Sequence, residues 1–427
     1  MADHVILHDK FYFFDSAGCL AELRNNPETL IFGAGRAGAI IAKELLKIGV
    51  QPKGFVDNNP VLKTFCDLPV WLPEAAFTDS PDAALVCAVT RVENVARQLL
   101  QFGITKAFSI GFLDAFPEVW NLPKADQSRD IPPQITLLQC AEYQKSLIAY
   151  PKSIRSGLAM ELMITERCSL RCRDCGNLMQ YYSHPENLNT KLLIQDLNAA
   201  TDCLDFIPEV RVIGGEPLLH PDFHTITAMV AAKQNIGHVG IVTNGTLVPS
   251  SEQFKSLQNG KIYFRISNYG ALSRKLDHLL EECDKHGVPA YVLDTPQWMR
   301  CRLTSAQGLD DNALRRRFQA CTSLFCMTIM RGKLYHCEFA ANGERIGGIP
   351  QNAANSIDLL HDAKTSNDLG RKIWAFIHGC DMLPACDYCP GFSKECEPVA
   401  AAIQTKNPLT LPGKGCPNNR TSSGMQA

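Results

Sequence analysis

The 427-residue chain has no excess charge of one sign and no long apolar segment. Its 42 Lys and Arg residues against 44 Asp and Glu residues leave a formal charge of −2, which argues against a strongly charged nucleic-acid or membrane partner. No uncharged apolar stretch reaches the roughly 18 residues that indicate a membrane helix. The opening residues 1–4 show no basic-then-apolar export signal. We therefore expect a cytoplasmic protein that binds neither nucleic acid nor a membrane.

The chain also lacks internal repeats and low-complexity tracts, and its length predicts two to three domains at roughly 150 residues each. In contrast, it contains 18 cysteines, which is many for a reducing compartment where disulfides rarely persist. A clustered set of cysteines is then better explained as metal ligands or redox groups. The spacing of the cysteines therefore decides the functional interpretation.

Short apolar runs alternate with helical patterns in two parts of the chain, which predicts an α/β fold with parallel sheets. The candidate strands of the first part are residues 30–32, 54–56, 84–86 and 107–110. Those of the second part are residues 160–164, 210–213, 239–243, 262–267 and 291–293. A helix in the second part begins at Asn189 or Thr190, which would cap it. The repeated strand–helix unit there predicts a (β/α) barrel or part of one.

Prolines interrupt a polar stretch from residue 116 to 152, which predicts a linker containing one helix at 137–150. After residue 321 the pattern changes to Cys-, Gly- and Pro-rich segments, and the polar end of the chain predicts a flexible tail. The predicted regions are a Rossmann-like domain at 1–118, a linker at 119–156, a partial (β/α)6 barrel at 157–318, a Cys-rich domain at 319–404 and a flexible tail at 405–427.

The clearest motif is a C-x3-C-x2-C spacing formed by Cys168, Cys172 and Cys175, between the first barrel strand and the next helix. Three cysteines on one loop would leave one iron of a four-iron cluster with open coordination for another ligand. A structural zinc site instead closes all four positions with Cys or His. A zinc loop and a loop of unliganded thiols are the alternatives.

Two glycine-rich turns follow the second and third barrel strands, and their residues are Gly214, Gly215, Glu216, Pro217, Thr243, Asn244 and Gly245. Glycine lets a backbone approach a ligand closely. With the cysteine triplet, these turns resemble the radical S-adenosylmethionine (radical SAM) superfamily, in which the first is the GGEP motif. The resemblance implies a 4Fe-4S cluster on the three cysteines and S-adenosylmethionine (SAM) beside the GGEP motif. Asp174 departs from the family, since many members carry an aromatic residue there.

A second group of cysteines follows the barrel and comprises Cys321, Cys326, Cys337, Cys380, Cys386, Cys389, Cys396 and Cys416. Its spacing resembles the auxiliary-cluster extension of radical SAM enzymes called SPASM, or the shorter twitch form. The resemblance implies one auxiliary 4Fe-4S cluster, and its ligands are Cys321, Cys337, Cys386 and Cys389, with Cys326 as a substitute for Cys321.

Two alternatives for this second group stay open. Cys396 and Cys416 would help to complete a further cluster, although Ala400 stands where the longer form places another cysteine. A zinc ribbon would use the same residues, because C-x2-C pairs also suit zinc.

A glycine-rich segment follows the first predicted strand and opens a helix, and its residues are Gly33, Gly35 and Gly38. Asp57 ends the next strand, which completes a dinucleotide-binding fingerprint. The surrounding sequence resembles the Rossmann-type domains of sugar acetyltransferases and polysaccharide-pathway enzymes, which implies a nucleotide or nucleotide sugar as ligand. A structural Rossmann domain that binds nothing is the alternative.

Polar residues alternate with apolar ones on the fourth barrel strand, where Tyr263, Arg265 and Ser267 would face the lumen. The resemblance places SAM-binding groups near Ser267. Further candidates for substrate contact or catalysis are Asn268, Tyr269, Asp294 and Trp298. Candidates for proton transfer are His336 and Glu338, which flank Cys337.

The resemblance implies an oxidoreductase that generates a 5′-deoxyadenosyl radical and oxidises a carbinol of a sugar, amino sugar or cyclitol to a ketone. The chain resembles the aminocyclitol dehydrogenase of butirosin biosynthesis and, more closely, the radical SAM proteins found in polysaccharide pathways. The resemblance also implies a flavodoxin- or ferredoxin-type reductant. An epimerase would use Cys301 or another unliganded cysteine as hydrogen donor. A peptide-modifying maturase and a zinc-bound nucleotide-binding scaffold are the remaining alternatives.

Overall fold

The computed structural model describes residues 4–7, 11–17, 20–89, 92–116, 137, 140–141, 144, 159–321, 323, 326–393 and 396–412. The strands of the amino-terminal part are β1 (His4–Leu7), β2 (Phe11–Phe14), β3 (Thr29–Phe32), β4 (Pro52–Val56), β5 (Thr64–Phe65), β6 (Leu68–Trp71), β7 (Leu85–Cys87) and β8 (Lys106–Phe108). Its helices are α1 (Leu20–Asn25), α2 (Arg36–Lys47), α3 (Pro73–Asp79) and α4 (Val92–Leu100).

These strands form one sheet in the order β1-β2-β8-β7-β3-β4-β6-β5. The strands from β2 to β6 in that order are parallel, and buried apolar side chains cover both faces. After β3 the chain passes through α2 to β4 on one side of β3, whereas β7 lies on the other side of β3. The Rossmann-like topology is therefore confirmed, with its switch point between β3 and β7.

The predicted glycine-rich segment lies at this switch point. Gly33 has φ +109°, and a Cβ on Gly38 would lie 2.2 Å from the carbonyl oxygen of Gly33. Gly35, at the amino end of α2, has open space where a Cβ would be. The Asp57 carboxylate accepts a hydrogen bond from Ala34 N at 2.9 Å, so one of its oxygens already stabilises the turn. Two of the glycines thus serve packing, and Gly35 alone leaves room for a ligand.

The helix predicted within the linker packs onto this domain. Leu137, Cys140, Ala141 and Gln144 are helical and buried. Gln144 Nε2 donates to the carbonyl oxygens of Cys87 and Val89, both at 2.9 Å. This helix therefore contributes to the amino-terminal core rather than spanning open solvent.

The central part contains the predicted strand–helix repeat. Its strands are β9 (Ala159–Thr165), β10 (Ile207–Gly214), β11 (Ile236–Thr243), β12 (Ile262–Asn268), β13 (Ala290–Asp294) and β14 (Gln297–Met299). Its helices are α5 (Thr190–Thr201), α6 (Phe223–Ala231), α7 (Ser251–Ser256) and α8 (Leu276–His286). The Asn189 carboxamide oxygen accepts from Lys191 N at 3.0 Å, so Asn189 is the cap of α5.

The Cys-rich part adds α9 (Asp311–Ala320), β15 (Cys326–Met330), β16 (Lys333–Tyr335), α10 (Glu338–Arg345), β17 (Ser356–Asp358), α11 (Ser366–Gly379) and β18 (Pro398–Ala400). Single 3-10 turns lie at Gly111–Ala115, Met179–Tyr181, Pro217–Leu219, Gly270–Leu272, Ala353–Asn355 and Pro384–Tyr388. The strand order of the large sheet is β13-β12-β11-β10-β9-β15-β16-β17, and β14 pairs separately with β18.

The strands from β13 to β15 in this order are parallel and numerous enough for the partial barrel that the sequence predicts. The sixth strand, β15, lies beside β9 rather than beside β13. The sheet is therefore open among the described residues, and its carboxyl-terminal strand ends share one rim. Within the same residues, no helix is long and apolar enough to cross a membrane.

The glycine segment provides a stability test with a matched control. We expect Gly38→Ala to destabilise the amino-terminal domain by about 1–3 kcal/mol, because the added methyl meets backbone that cannot move aside. Gly35→Ala meets no atom within 4 Å and should cost less than about 1 kcal/mol. Hydrogen exchange of β3 and β4, with increasing urea, measures both. Equal exchange in the two variants would contradict the packing role of Gly38.

Candidate active site

A cavity of about 400 Å³ opens at the rim where the parallel strands end. Its walls come from the segments that follow β9, β10, β11, β12 and β13, and include all three cysteines of the first motif. In (β/α) folds the carboxyl ends of the strands carry the reacting groups. The structure therefore places the predicted motifs in one site.

Cys168, Cys172 and Cys175 lie on an irregular loop directly after β9. Among the described residues, no three Cys, His, Asp or Glu side chains converge as ligands of a single metal ion would. In an iron–sulfur cube each cysteine binds a different iron, so the sulfurs are spread over the cluster. The three cysteines of the loop would therefore suit a cluster of this kind. Burial raises the pKa of the Cys172 thiol to about 12, so cluster assembly there must displace a proton.

The two glycines of the GGEP turn lie against the start of this loop. A Cβ on Gly214 would lie 2.5 Å from the carbonyl oxygen of Thr165, and one on Gly215 would lie 2.4 Å from that of Arg167. Gly215 N donates to the first of these oxygens at 2.9 Å. The close approach that the glycines permit is therefore an approach to the cysteine loop itself.

Glu216 of the same turn is buried, with hydrogen bonds to the next strand end. Its carboxylate accepts from Thr243 Oγ1 at 2.8 Å and from Asn244 N at 2.8 Å. Burial raises the pKa of Glu216 to about 7, although these hydrogen bonds favour the carboxylate. Glu216 is therefore a positioning residue that joins the ends of β10 and β11. Pro217 begins the 3-10 turn that follows.

Asn244 connects the second turn to the cysteine loop. Its Nδ2 donates to Ser169 Oγ at 3.1 Å and lies 3.7 Å from Cys168 Sγ. The Ser169 hydroxyl is also 2.5 Å from that of Thr246. Cys168 is thus held in place by the contacts of Ser169 as well as by its position just after β9.

Asp174, the departure from the family pattern, is buried in an ion pair. Its two carboxylate oxygens accept from Arg302 Nε at 2.7 Å and Nη2 at 3.2 Å. Despite burial, hydrogen bonds from Arg302 and Arg173 hold the Asp174 pKa below its usual value. The carboxylate therefore anchors the loop where an aromatic side chain is usual. Sequence reasoning missed Arg302, which lies outside both cysteine groups.

The segment 402–409, here called the C-terminal strap, pairs with the cysteine loop. Thr405 N donates to Arg171 O at 2.8 Å, and Arg171 N donates to Gln404 Oε1 at 2.8 Å. Gln404 Nε2 donates to Cys172 Sγ at 3.2 Å. The prediction of a flexible tail from residue 405 is therefore wrong for the strap. Residues 413–427, with Cys416, lie outside the described residues.

Charged side chains form the floor of the cavity. Arg211 Nη2 lies 2.7 Å from Glu209 Oε2, and its Nη1 lies 3.7 Å from Glu161 Oε1. The Tyr263 hydroxyl donates to Glu209 Oε1. Arg265 lines the same cavity. Sequence reasoning missed Glu161, Glu209 and Arg211, although two charges at alternate positions of an apolar strand would have pointed to the lumen.

The candidates at the end of β12 separate into two groups. Ser267, Tyr269 and Trp298 line the cavity, and the two aromatic rings meet edge to face at 5.3 Å. Asn268 Nδ2 instead donates to Asp294 Oδ1 at 2.6 Å on the exposed side of the strand ends. The structure therefore brings the first group to the cysteine loop and leaves the second group at the surface.

The predicted auxiliary ligands Cys321, Cys337, Cys386 and Cys389 all line a second, smaller and largely apolar cavity. Arg317 Nη1 donates to the carbonyl oxygens of Cys386 and Cys389 at 2.9 and 2.6 Å, which fixes the C-x2-C turn. Cysteine sulfurs in an apolar pocket suit an iron–sulfur cluster.

Two other cysteines of this group lie elsewhere. Cys326 Sγ accepts from Arg211 Nη1 at 3.4 Å, and Cys326 is not one of the described residues that line the smaller cavity. Its use as a substitute for Cys321 stays a prediction. The Cys396 thiol donates to Gly391 O at 2.7 Å.

His336 and Glu338 flank Cys337 but reach different cavities. His336 lines the smaller cavity, where its Nε2 donates to Phe376 O at 2.7 Å. Glu338 lines the large cavity, and its Oε2 is buried with no hydrogen-bond partner among the described residues. Burial raises the pKa of Glu338. Cys301, also buried, lines the large cavity as well.

Comparison with known proteins gives partial matches. A GTP 3′,8-cyclase of Clostridium acetobutylicum is 33% identical over 151 residues, which cover 32% of this chain and 46% of that protein. One of Actinobacillus succinogenes is 36% identical over 89 residues, covering 20% of this chain and 26% of that protein. The chain thus spans less than half the length of these relatives.

Two solved structures are also similar. BtrN in complex with AdoMet and 2-DOIA matches with 18% identity and a TM-score of 0.32, covering 55% of this chain and 92% of that one. Streptococcus suis SuiB bound to the precursor peptide SuiA matches with 12% identity and a TM-score of 0.30, covering 66% and 77%. Likeness at this level carries no argument about activity.

The family comparison agrees with the geometry. The model described as the Radical SAM superfamily matches residues 162–289, from within β9 through α8. This range holds the cysteine loop, the GGEP turn and the Asn244 turn, whose contacts build one site. Residues 162–289 therefore match the Radical SAM superfamily.

Proposed function

We propose that this chain is a radical SAM oxidoreductase that oxidises a carbinol carbon of a sugar, amino sugar or cyclitol, free or nucleotide-linked, to a ketone. The observation that carries the proposal is the position of the second cysteine set. Ser323 and Phe392 belong to the walls of both cavities, so an auxiliary cluster would lie directly beside the reacting groups. An electron acceptor at that place suits oxidation.

The residues of this chain have distinct tasks in the proposal. The loop of Cys168, Cys172 and Cys175 would hold the SAM-binding cluster, and Ser267 and Asn244 would bind SAM itself. When bound, these groups would supply the 5′-deoxyadenosyl radical chemistry that removes one hydrogen atom, and the second cysteine set would hold the cluster that accepts the remaining electron. Glu338 takes the hydroxyl proton, since its buried carboxylate faces the cavity without a partner.

The same proposal assigns the other partners. The open amino end of α2 at Gly35 would bind the phosphates of a nucleotide or nucleotide sugar, and a flavodoxin- or ferredoxin-type protein would supply the electron that starts the reaction. The substrate is a small sugar-like molecule that fits the cavity, in a cytoplasmic enzyme with no nucleic-acid or membrane partner.

Metal content tests the two-cluster proposal. After anaerobic reconstitution we expect about eight irons per chain, because each cluster holds about four. Replacing Cys386 and Cys389 by Ala should lower this to about four and leave SAM cleavage intact. Replacing the three loop cysteines should abolish cleavage, and Cys66→Ala, at an exposed cysteine, serves as control. Zinc without iron, or no loss of iron in the first variant, would refute the assignment.

Glu338→Gln tests the proton acceptor. We expect ketone formation to fall by about 10²- to 10⁴-fold, which is the usual contribution of a positioned base, while SAM cleavage without substrate stays at the wild-type rate. Ketone is measured by mass spectrometry over a panel of sugars, amino sugars and cyclitols. Glu338→Asp should retain part of the activity, and Glu252→Gln, on an exposed helix, should retain all of it. Wild-type ketone formation by Glu338→Gln would exclude this role.

An epimerase is the second candidate, because the buried Cys301 thiol lines the large cavity and belongs to neither ligand set. Returning a hydrogen atom to the opposite face of the substrate radical would invert the carbon without net oxidation. The same assay in D2O distinguishes the two reactions. A product that contains solvent deuterium but is not oxidised would favour epimerisation, provided that Cys301→Ala no longer forms it. A ketone that Cys301→Ala forms as well as the wild type would favour oxidation.

A further inference from the structure

Arg265 on the cavity floor has no hydrogen-bonded partner among the described residues. Along β12 the Tyr263 hydroxyl is bound to Glu209, and Ser267 lies at the rim. Arg265, between them, lines the cavity and makes no hydrogen bond or ion pair with any described residue. A partly buried cation without a partner is costly, so native structures rarely keep one without a ligand or a function.

Glu209 attracts Arg265, but the Glu209 carboxylate is already hydrogen-bonded to Arg211 and Tyr263. Arg211 lies 2.7 Å from Glu209 Oε2 and 3.7 Å from Glu161 Oε1. Burial and repulsion from Arg211 lower the pKa of Arg265, and the attraction of Glu209 opposes this effect. Among the described residues, the guanidinium of Arg265 therefore has no acceptor within hydrogen-bond distance.

A second unsatisfied donor lies beside it. Tyr291 on β13 is the in-register partner of Arg265 on β12, so both side chains leave the same face of the sheet. The Tyr291 hydroxyl is buried and has no hydrogen-bond partner among the described residues. Tyr291 is not among the residues that line the cavity, so Arg265 is the donor that a ligand with acceptor oxygens would meet there.

We propose that Arg265 binds an anionic oxygen group of the substrate, a phosphate or a carboxylate. Arg265 lies two residues below Ser267, or about 6.6 Å along the strand, so the anion would be held deeper than the SAM-binding rim. Glu338 faces the same cavity and stays available for the hydroxyl that reacts. This inference rests on the proposed function and adds its substrate class: an acidic or phosphorylated sugar.

Binding to the reconstituted enzyme tests the inference. The probes are glucuronate, glucose 1-phosphate, UDP-glucose and neutral glucose, measured by anaerobic calorimetry together with ketone formation. We expect at least one anionic sugar to bind the wild type better than glucose does, and Arg265→Gln to weaken it at least tenfold, as for a charge-assisted contact. Arg300→Gln, at an exposed ion pair with Glu397, should leave binding unchanged.

Each outcome has one meaning. Glucuronate alone would assign a carboxylate site, and the phosphorylated sugars alone a phosphate site. Tight anion binding that Arg265→Gln does not weaken, in a variant with wild-type iron content, overturns the inference but leaves the proposed function. Ketone formation from neutral sugars only would likewise overturn the inference and leave the proposed function. Modification of peptides with no response to any sugar would instead overturn the proposed function.

A second, independent observation concerns the carboxamide of Gln404. Its Oε1 accepts from Arg171 N, so the amide group must face Cys172, and the orientation is fixed. Nε2 donates one hydrogen to Ala402 O at 2.7 Å and lies 3.2 Å from Cys172 Sγ for the other. Both N–H groups and the oxygen of the Gln404 carboxamide therefore have hydrogen-bond partners, and one N–H donates to a cysteine of the cluster loop.

We infer that Gln404 is a positioning residue that tunes the SAM-binding cluster. An N–H donor to a ligand sulfur stabilises the reduced cluster, because reduction adds negative charge to the sulfurs. The strap, near the carboxyl end of the chain, would thereby raise the reduction potential of the SAM-binding cluster.

A potentiometric titration followed by electron paramagnetic resonance tests this without substrate or SAM. Gln404→Leu and the isosteric Gln404→Glu both remove the donor, and both should shift the midpoint potential to more negative values. Thr405→Val removes a strap contact remote from the sulfur and should leave the potential unchanged. An unchanged potential in Gln404→Glu with full iron content would overturn the inference, as would an equal shift in Thr405→Val.

Discussion

The structure depends on holding three buried thiols together on a loop that has no regular secondary structure. Burial disfavours the thiolate form of each cysteine and raises the pKa of Cys172 to about 12, so the loop cannot be organised by its own charges. It is organised by neighbouring backbone instead. Gly215 pairs with the end of β9, and the C-terminal strap pairs with the other side of the loop. Backbone contacts on both sides thus define the shape of the cysteine loop.

This constraint explains why particular residue types stand at the ends of the neighbouring strands. A side chain at Gly214 or Gly215 would collide with backbone atoms at 2.4–2.5 Å, so the second strand end must be free of Cβ atoms. Glu216 is then buried to join that strand end to the next. Its hydrogen bonds offset part of the cost of burying a carboxylate. The GGEP turn therefore frames the cysteine loop, and its two glycines also line the large cavity.

The sequence predicts whatever is local or periodic. The parallel strands, the Asn189 cap and the cysteine loop follow from spacing along the chain, and the model confirms the fold class. Four auxiliary cysteines also meet in one cavity, as the resemblance implied. The misses are contacts between distant segments: Arg302 reaches Asp174 across 128 positions, and Gln404 reaches Cys172 across 232. Contacts between residues so far apart leave no periodic pattern in the sequence. The polar strap also looks like a disordered tail in the sequence, because hydrogen bonds to backbone atoms leave no pattern of side chains.

The placement of β15 beside β9 has a consequence for chemistry. Because this strand pairs with the one that leads into the cysteine loop, the Cys-rich domain is fixed to the same backbone as the first cysteine set. Both cavities then share walls, and Glu338 projects into one while its neighbour Cys337 lines the other. In the proposed function, a proton acceptor at Glu338 and a ligand of the electron-accepting cluster at Cys337 would be consecutive residues, which suits a reaction that removes both a proton and an electron from one carbinol. An epimerase would need neither, since its radical keeps its electron and its hydroxyl proton.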